Sequence, residues 1–269
     1  MSDRIKISII TVAKNSAGTI SDPILSVLSQ DYPSEHILVD GCSSDDTLEI
    51  MRRHATEATK ILSEPDKNHF DAMNKGLAMA TGDVVAILNS DDYYAHAGVL
   101  SRIAREFETT GAESCYADLV YVDAANTSRV IRYWRSGTYH RQRFYSGWMP
   151  PHPTFFAKRQ LYEKYGGFNL DLGLSADYEL MLRFLFKHGV SSRYIPEVLT
   201  VMRSGGQGNA SLGNRLRAHR LDRLAWDING LKPKPWTLIA KPLSKVYQYV
   251  MPNLRIGTER FEWGTGAFG

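Results

Sequence analysis

Three groups of carboxylates stand where they would do chemistry. Asp40 closes a short apolar run and is followed by Gly41, Ser43, Asp45 and Thr47. A carboxylate there can accept from a nucleobase N–H, and the glycine lets a ligand approach the backbone closely. Ser44 or Asp45 would equally cap the next helix, using other atoms. Asn89-Ser90-Asp91-Asp92 follows a wholly apolar run. Acidic oxygens gathered at such a point suit a divalent cation, because Mg2+ is held by one or two protein carboxylates together with substrate phosphates. Asp91 is the residue expected to touch the metal; a cap on the following helix is the plain alternative. Asp177 opens a predicted helix, where the helix dipole favours a carboxylate and where a general base would also stand. His152 is held between Pro151 and Pro153 and is a candidate metal ligand or acceptor contact, or an ordinary loop histidine. Asp66, Lys67, Asp71 and Lys75 form a further charged group, in which a lysine would balance phosphate or merely make surface pairs.

The elements that must position these groups alternate. Residues 5–12 and 36–40 are apolar runs of buried-strand type. Residues 19–30 place Ile20, Ile24, Val27 and Leu28 on one helical face. A helix through Leu48 and Met51, a brief strand at 61–62, a helix over 70–80 and a strand over 84–88 follow. Strand and helix in alternation imply right-handed crossovers and a mainly parallel sheet. Ligands of such sheets bind beyond the carboxyl ends of the strands, where Asp40–Asp46 and Asn89–Asp92 fall. A helix is expected over 95–108, a hairpin from 114–122 and 129–134, and a loop over the site at 136–152. A strand at 154–157, a short helix at 159–165 and a helix over 177–188 complete this half. Residues 203–211, RSGGQGNAS, read as a linker, and amphipathic helices are expected at 213–229 and 235–250.

With 269 residues, 43% of them hydrophobic and 23% charged, the chain is of ordinary globular composition and can bury a sizeable core. Cys42 and Cys115 are too few for a disulfide scaffold or a four-cysteine zinc module. No apolar run reaches 18 residues, and MSDRIKISIITV lacks the apolar core and cleavage site of a signal peptide. A cytoplasmic protein is expected, peripheral at the inner face of the cell membrane if its tail binds lipid. Residues 1–212 carry 22 Lys+Arg against 25 Asp+Glu, and residues 213–269 carry 10 against 4. A tail of that charge meets an anionic partner or presents a solvated helical face. No G-x-G-x-x-G follows the first strand, and G-x-x-x-x-G-K-[ST] and G-x-S-x-G are absent. Dinucleotide oxidoreductases, P-loop enzymes and α/β-hydrolases are thereby disfavoured.

Taken together, ISIITVAKN, SVLSQDYPSEHILVDGCSSDDTLEI, SEPDKNHFDAMNKGLAMATGDVVAILNSDDYY, HPTFFAKRQLYEKYGGFN and SADYELMLRFLFKHG resemble the family 2 glycosyltransferases of the GT-A fold, especially bacterial enzymes of cell-surface polysaccharide synthesis. The resemblance spans about residues 5–205. It implies an α/β, Rossmann-like, mainly parallel sheet flanked by helices, with a C-terminal helical extension. The implied organisation is a catalytic domain over 1–212, with a nucleotide-sugar half at 1–110 and an acceptor and base half at 111–212. A basic amphipathic extension occupies 213–269.

The resemblance puts the nucleobase contact on Asp40, with Thr11 and Val12 beside it and Asn15, Asp66, Lys67 and Asn74 around the same donor. The family's D-x-D motif falls on Asn89, Ser90 and Asp91, leaving ligation of Mg2+ or Mn2+ chiefly to Asp91. The catalytic base falls on Asp177, with Ala176 where the family carries Glu. Asp92, His152 and a Gly205-Gly206 lid are implied on the acceptor side. The implied activity is an inverting, metal-dependent transfer from a nucleotide-diphosphate sugar, a UDP-sugar first, to a hydroxyl of a saccharide or lipid-linked acceptor. Residues 230–250, with Trp236, Leu243 and Tyr247 among Lys232, Lys234, Lys241 and Lys245, are expected on an anionic membrane surface, on the catalytic domain or in a homodimer. Nucleic acid is not an expected partner. The alternatives are a non-catalytic sugar-nucleotide-binding or scaffold protein and a sugar nucleotidyltransferase; AKNSAGT is a poor match to the latter's glycine-rich loop.

Overall fold

A computed structural model describes residues 4–205 and 212–237. Its frame is β1 (Ile7–Ala13), α1 (Ser21–Leu28), β2 (Ser34–Asp40), α2 (Thr47–Arg53), β3 (Thr59–Ser63), α3 (His69–Met79) and β4 (Val84–Ile87). There follow β5 (Tyr93–Tyr94), α4 (Val99–Thr110), β6 (Ser114–Val122), β7 (Val130–Trp134), β8 (Phe156–Lys158), α5 (Arg159–Tyr165), α6 (Ala176–Met181), β9 (Ser192–Arg203) and α7 (Leu212–Ile228). The strands of the described residues form one sheet in the order β3-β2-β1-β4-β8-β6-β9-β5, with β7 paired to β6. β1, β2, β3 and β4 are mutually parallel, and β6 and β9 are parallel to each other. β8 joins the two sets, running antiparallel to both β4 and β6.

The local reasons are in the residues. β4 is apolar throughout and β1 mostly so, and both are buried along their whole length, as a parallel sheet covered on both faces requires. On one face Ile10, Val12, Ile37 and Val39 meet Phe70 and Met73 of α3 and the side chains of α6. On the other, Ile7, Ile9, Val84 and Ala86 meet Leu100, Ile103 and Phe107 of α4, while Leu38 and Ala13 pack under α1 and α2. Asn68 caps α3 by accepting from the Phe70 and Asp71 N–H groups.

Three expectations are revised. The helix expected over 95–108 begins only at Val99, because Tyr93-Tyr94 form β5 against β9. The helix expected over 177–188 is α6 followed by a π-type turn, Leu182–Lys187. β9 was not expected at all: its register jumps from Ile195 to Val198 opposite Ala117 and Asp118, so Pro196 and Glu197 bulge and spoil the alternation. The helix expected over 213–229 is α7, which packs on α6 and on the 3-10 turn Leu170–Ser175. The expected helix over 235–250 lies, from residue 238 on, outside the described residues. Among the described residues no helix is long and apolar enough to cross a membrane.

One buried histidine gives the fold a testable pH dependence. The His36 ring nitrogen Nε2 lies 3.0 Å from the Thr11 hydroxyl, and burial pushes its pKa down to about 3. A histidine held neutral contributes stability that is complete above its unfolded pKa of about 6.5 and is lost as pH falls from there toward about 3. Urea melts should therefore lose up to about 1.4 kcal/mol per pH unit in that window beyond the loss shown by His36→Gln. An identical slope in the variant would refute this account.

Candidate active site

The loops after β1 and β2 are locked together. Asn15, in the left-handed region at φ 51°, donates its N–H to Ser43 Oγ at 2.8 Å and accepts from the Ser44 N–H at 2.8 Å. Ala17 N–H donates to Asp45 Oδ2 at 3.0 Å, and Ser16 N–H to Thr47 Oγ1 at 2.7 Å. Asp45 also accepts from the Thr47 N–H at 3.1 Å, so it supports the start of α2 while binding the two loops. The Ser16 and Ser90 hydroxyls, 3.1 Å apart, bring in the loop after β4.

Asp40 ends β2 fully buried, accepting from the Ser43 N–H and, at 2.6 Å, from the Ser63 hydroxyl. Beyond it, a Cβ on Gly41 would lie 2.8 Å from Asp66 Oδ2 and 3.4 Å from Lys14. Only glycine admits that approach, which gathers Asp40 and Asp66 at one point. Asp66 in turn accepts from Lys75 at 2.7 Å and holds its ammonium above the usual lysine range. Val12 is buried among the α3 side chains and Lys67 is exposed, its N–H on Asp71 Oδ2 at 3.0 Å. Thr11 and Asn74 belong to the framework. The pleat turns Thr11 toward His36. Asn74 donates to Phe168 O at 2.9 Å and accepts from Phe168 N at 2.8 Å, and a Cβ on Gly167 would stand 2.4 Å from its Oδ1.

At the end of β4, Asn89 Nδ2 donates to Asp92 Oδ2 at 2.7 Å. The cap alternative falls away, because these residues precede β5 and α4 is capped at Gly98. Asp92 is fully buried, and its Oδ1 has no hydrogen-bond partner among the described residues. Burial, and then the neighbouring Asp91 carboxylate, push the Asp92 pKa up; burial likewise raises half-buried Asp91. Arg203, at the end of β9, donates to Asp91 O at 3.2 Å and pairs with Asp22. Among the described residues no three His, Cys, Asp or Glu side chains form a cage for a metal. The residues nonetheless fit Mg2+ or Mn2+ completed by phosphate oxygens: one carboxylate is reachable, another has an orphaned oxygen, and both are raised in a way that a cation would reverse.

Asp177 lies on the first turn of α6. Its carboxylate acts on the imidazoles of both His69 and His152, whose pKa values burial pushes down. His152 stands edge-on to Phe168 at 5.5 Å, Phe168 meets Phe70 at 5.3 Å, and Phe70 meets His69 at 3.9 Å. Asp177 and His152 thus lie within electrostatic reach of each other. His69 is an addition; its position in the first turn of α3 was visible in the sequence, but its distant companions were not. Gly205 follows β9 at φ 104°, and Gly206 lies outside the described residues.

Two sets of acidic groups, Asp40 with Asp66 and Asp91 with Asp92, thus lie at the carboxyl ends of strands in the β3-β2-β1-β4 half of the sheet. The model of glycosyl transferase family 2 matches residues 8–166. The chain belongs to that family. An uncharacterised glycosyltransferase of Mycobacterium tuberculosis is 30% identical over 180 residues, 66% of this chain and 68% of that protein. A PGL/p-HBAD biosynthesis glycosyltransferase of Mycobacterium bovis is 31% identical over 168 residues, 61% of this chain and 63% of its own. Among solved structures, Staphylococcus aureus TarS 1–349 in complex with UDP-GlcNAc superposes with a TM-score of 0.67 at 17% identity, covering 88% of this chain and 69% of TarS. The mannosyltransferase PcManGT of Pyrobaculum calidifontis, in complex with GDP-Man and Mn2+, gives 0.63 at 20% identity, covering 93% and 72%. This family 2 glycosyltransferase therefore has the GT-A fold.

Proposed function

We propose that the protein transfers a sugar from a nucleoside diphosphate sugar to an acceptor hydroxyl with inversion at the anomeric carbon. The observations that support this reading are Asp91 beside the orphaned oxygen of Asp92 after β4, and Asp177 at the start of α6, whose charge reaches His69 at the start of α3. Asp40 and Asp66 around Gly41 supply acceptor oxygens suited to the imide N–H of uracil, which favours a UDP-sugar. The UDP-GlcNAc and GDP-Man bound by the two solved relatives support the donor class, and the Mn2+ of one supports a divalent metal.

Mg2+ or Mn2+ held chiefly by Asp91 would neutralise the diphosphate as it leaves. Asp177 takes the proton of the acceptor hydroxyl, whose oxygen bonds to the anomeric carbon as the bond to the diphosphate breaks on the opposite face. His69 and His152, whose pKa values burial pushes down, lie within reach of that carboxylate's charge. The acceptor is a saccharide or a lipid-linked hydroxyl. Exposed Leu224, Ile228 and Trp236, with exposed Arg220, Arg223, Lys232 and Lys234, support an anionic membrane surface as its setting.

A thermal-shift panel of UDP, dTDP, GDP and CMP, each with and without Mn2+, tests the donor site. UDP with metal at about 100 times its dissociation constant should add about 2.7 kcal/mol. Folded protein that responds to no nucleotide in either condition would refute the reading.

A further inference from the structure

The family model stops at residue 166, and α7 lies wholly beyond it. Yet α7 reaches the helix that carries the base. Trp226, fully buried, donates its indole N–H to the Tyr178 hydroxyl at 2.9 Å, and Tyr178 directly follows Asp177. Asn229 donates to Glu179 Oε1 at 2.9 Å and accepts from Lys187 at 3.3 Å. Glu179 also accepts from Arg183 Nε at 2.8 Å and Nη2 at 3.0 Å. Arg183 donates onward to the carbonyls of Tyr165, Gly166 and Gly167. That turn leads straight into Phe168, against which His152 stands.

The local determinants of Asp177's orientation are few. α6 runs for 6 residues before a π-type turn, Leu182–Lys187, takes over; so short a helical segment is marginal by itself. The two residues after the base are instead gripped through buried hydrogen bonds by α7 and by Asn229, which directly follows it, and Glu179 ties this segment, α6 and the Gly166-Gly167 turn into one network.

We propose that α7 is a positioning element of the transfer reaction, with Trp226 and Asn229 as positioning residues that set where the first turn of α6 points Asp177. This rests on the reading of Asp177 as the base. A 1 Å misplacement of a reacting group costs up to about a hundredfold in rate, so loss of this grip should appear in kcat and not in donor binding.

The test is a double-mutant cycle in the full chain: Tyr178→Phe, Trp226→Phe and the pair, with Asp177→Asn measured alongside. Each removes one side of the indole–phenol hydrogen bond while keeping an aromatic ring. Each single variant should lower kcat about tenfold, with donor KM and the nucleotide-induced melting shift unchanged, and the double should lose no more than the worse single. A lowered melting temperature with kcat within about twofold of the parent makes the contact structural only and overturns the proposal. Fully additive losses in the double, or a raised donor KM, overturn it as well. If Asp177→Asn is inactive while these variants keep kcat, the positioning claim alone fails. If Asp177→Asn remains active, both it and the assignment of the base fail together.

Discussion

Asp177→Asn should fold, bind nucleotide as the parent does, and lose about 10²–10⁴-fold in kcat, the usual contribution of a positioned general base. The amide preserves shape and can still accept from the Tyr178 N–H as Asp177 Oδ1 does at 2.7 Å. It cannot take the acceptor's proton. The fold has no reason to suffer, since the side chain is half-buried at the start of α6 and the charge it loses is flanked by neutral imidazoles. Losing it removes the one influence among those acting on His69 and His152 that raises their pKa values. The variant's histidines should therefore titrate at lower pH than the parent's, which NMR of the ring protons would follow. Initial rates with donor and acceptor in excess, beside a UDP-dependent melting shift, measure the catalytic effect. Activity within tenfold of the parent would remove Asp177 from the chemistry.

The histidine shift separates two ways in which such a variant could be dead. A disturbed α6 would move Phe168, and with it the environment of His152, in no fixed direction. Loss of charge alone moves both imidazoles the same way. A dead enzyme whose histidines shift down together has lost its base and kept its site.

What was readable beforehand divides along physical lines. β4, Ile9-Ile10 of β1 and Ile37–Val39 of β2 are apolar and buried because both faces of the sheet are covered, and such stretches are their own signal. The positions of Asp91 just after β4 and of Asp177 at the start of α6 were readable because each directly borders its element in the chain. β9 was not readable: its partner β6 lies far away in the chain, and the bulge at Pro196 and Glu197 breaks the period of two. Thr11 and Asn74 sit in the right loops and strands for a donor site, but the pleat and the distant Phe168 backbone decide which way their side chains turn. His69 joins Asp177 only through Phe70 and Phe168, on separate elements. The packing of α7 on α6 was hidden for the same reason. A basic tail looks like an appendage until Trp226 is seen buried against Tyr178.

The second large effect expected is at Asp91, and it has opposite signs in activity and stability. Asp91→Asn should lower turnover by at least about a hundredfold, since electrostatic stabilisation of the leaving diphosphate by a bound cation amounts to several kcal/mol. It should also flatten the dependence of rate on Mn2+ concentration. Without metal the parent is not at rest here. Burial already disfavours the Asp91 carboxylate, and its charge is one of the things that push Asp92 up. Replacing it by an amide removes that repulsion while leaving Arg203 its bond to the Asp91 carbonyl. The metal-free variant should therefore melt no lower than the parent, and higher at pH 7, where a carboxylate with a raised pKa is held charged against its preference. Added Mn2+ with UDP should then stabilise the parent and not the variant, so that their order in melting temperature reverses. A variant that loses activity because it is unfolded, or one that gains as much from Mn2+ and UDP as the parent does, would take Asp91 out of the metal site.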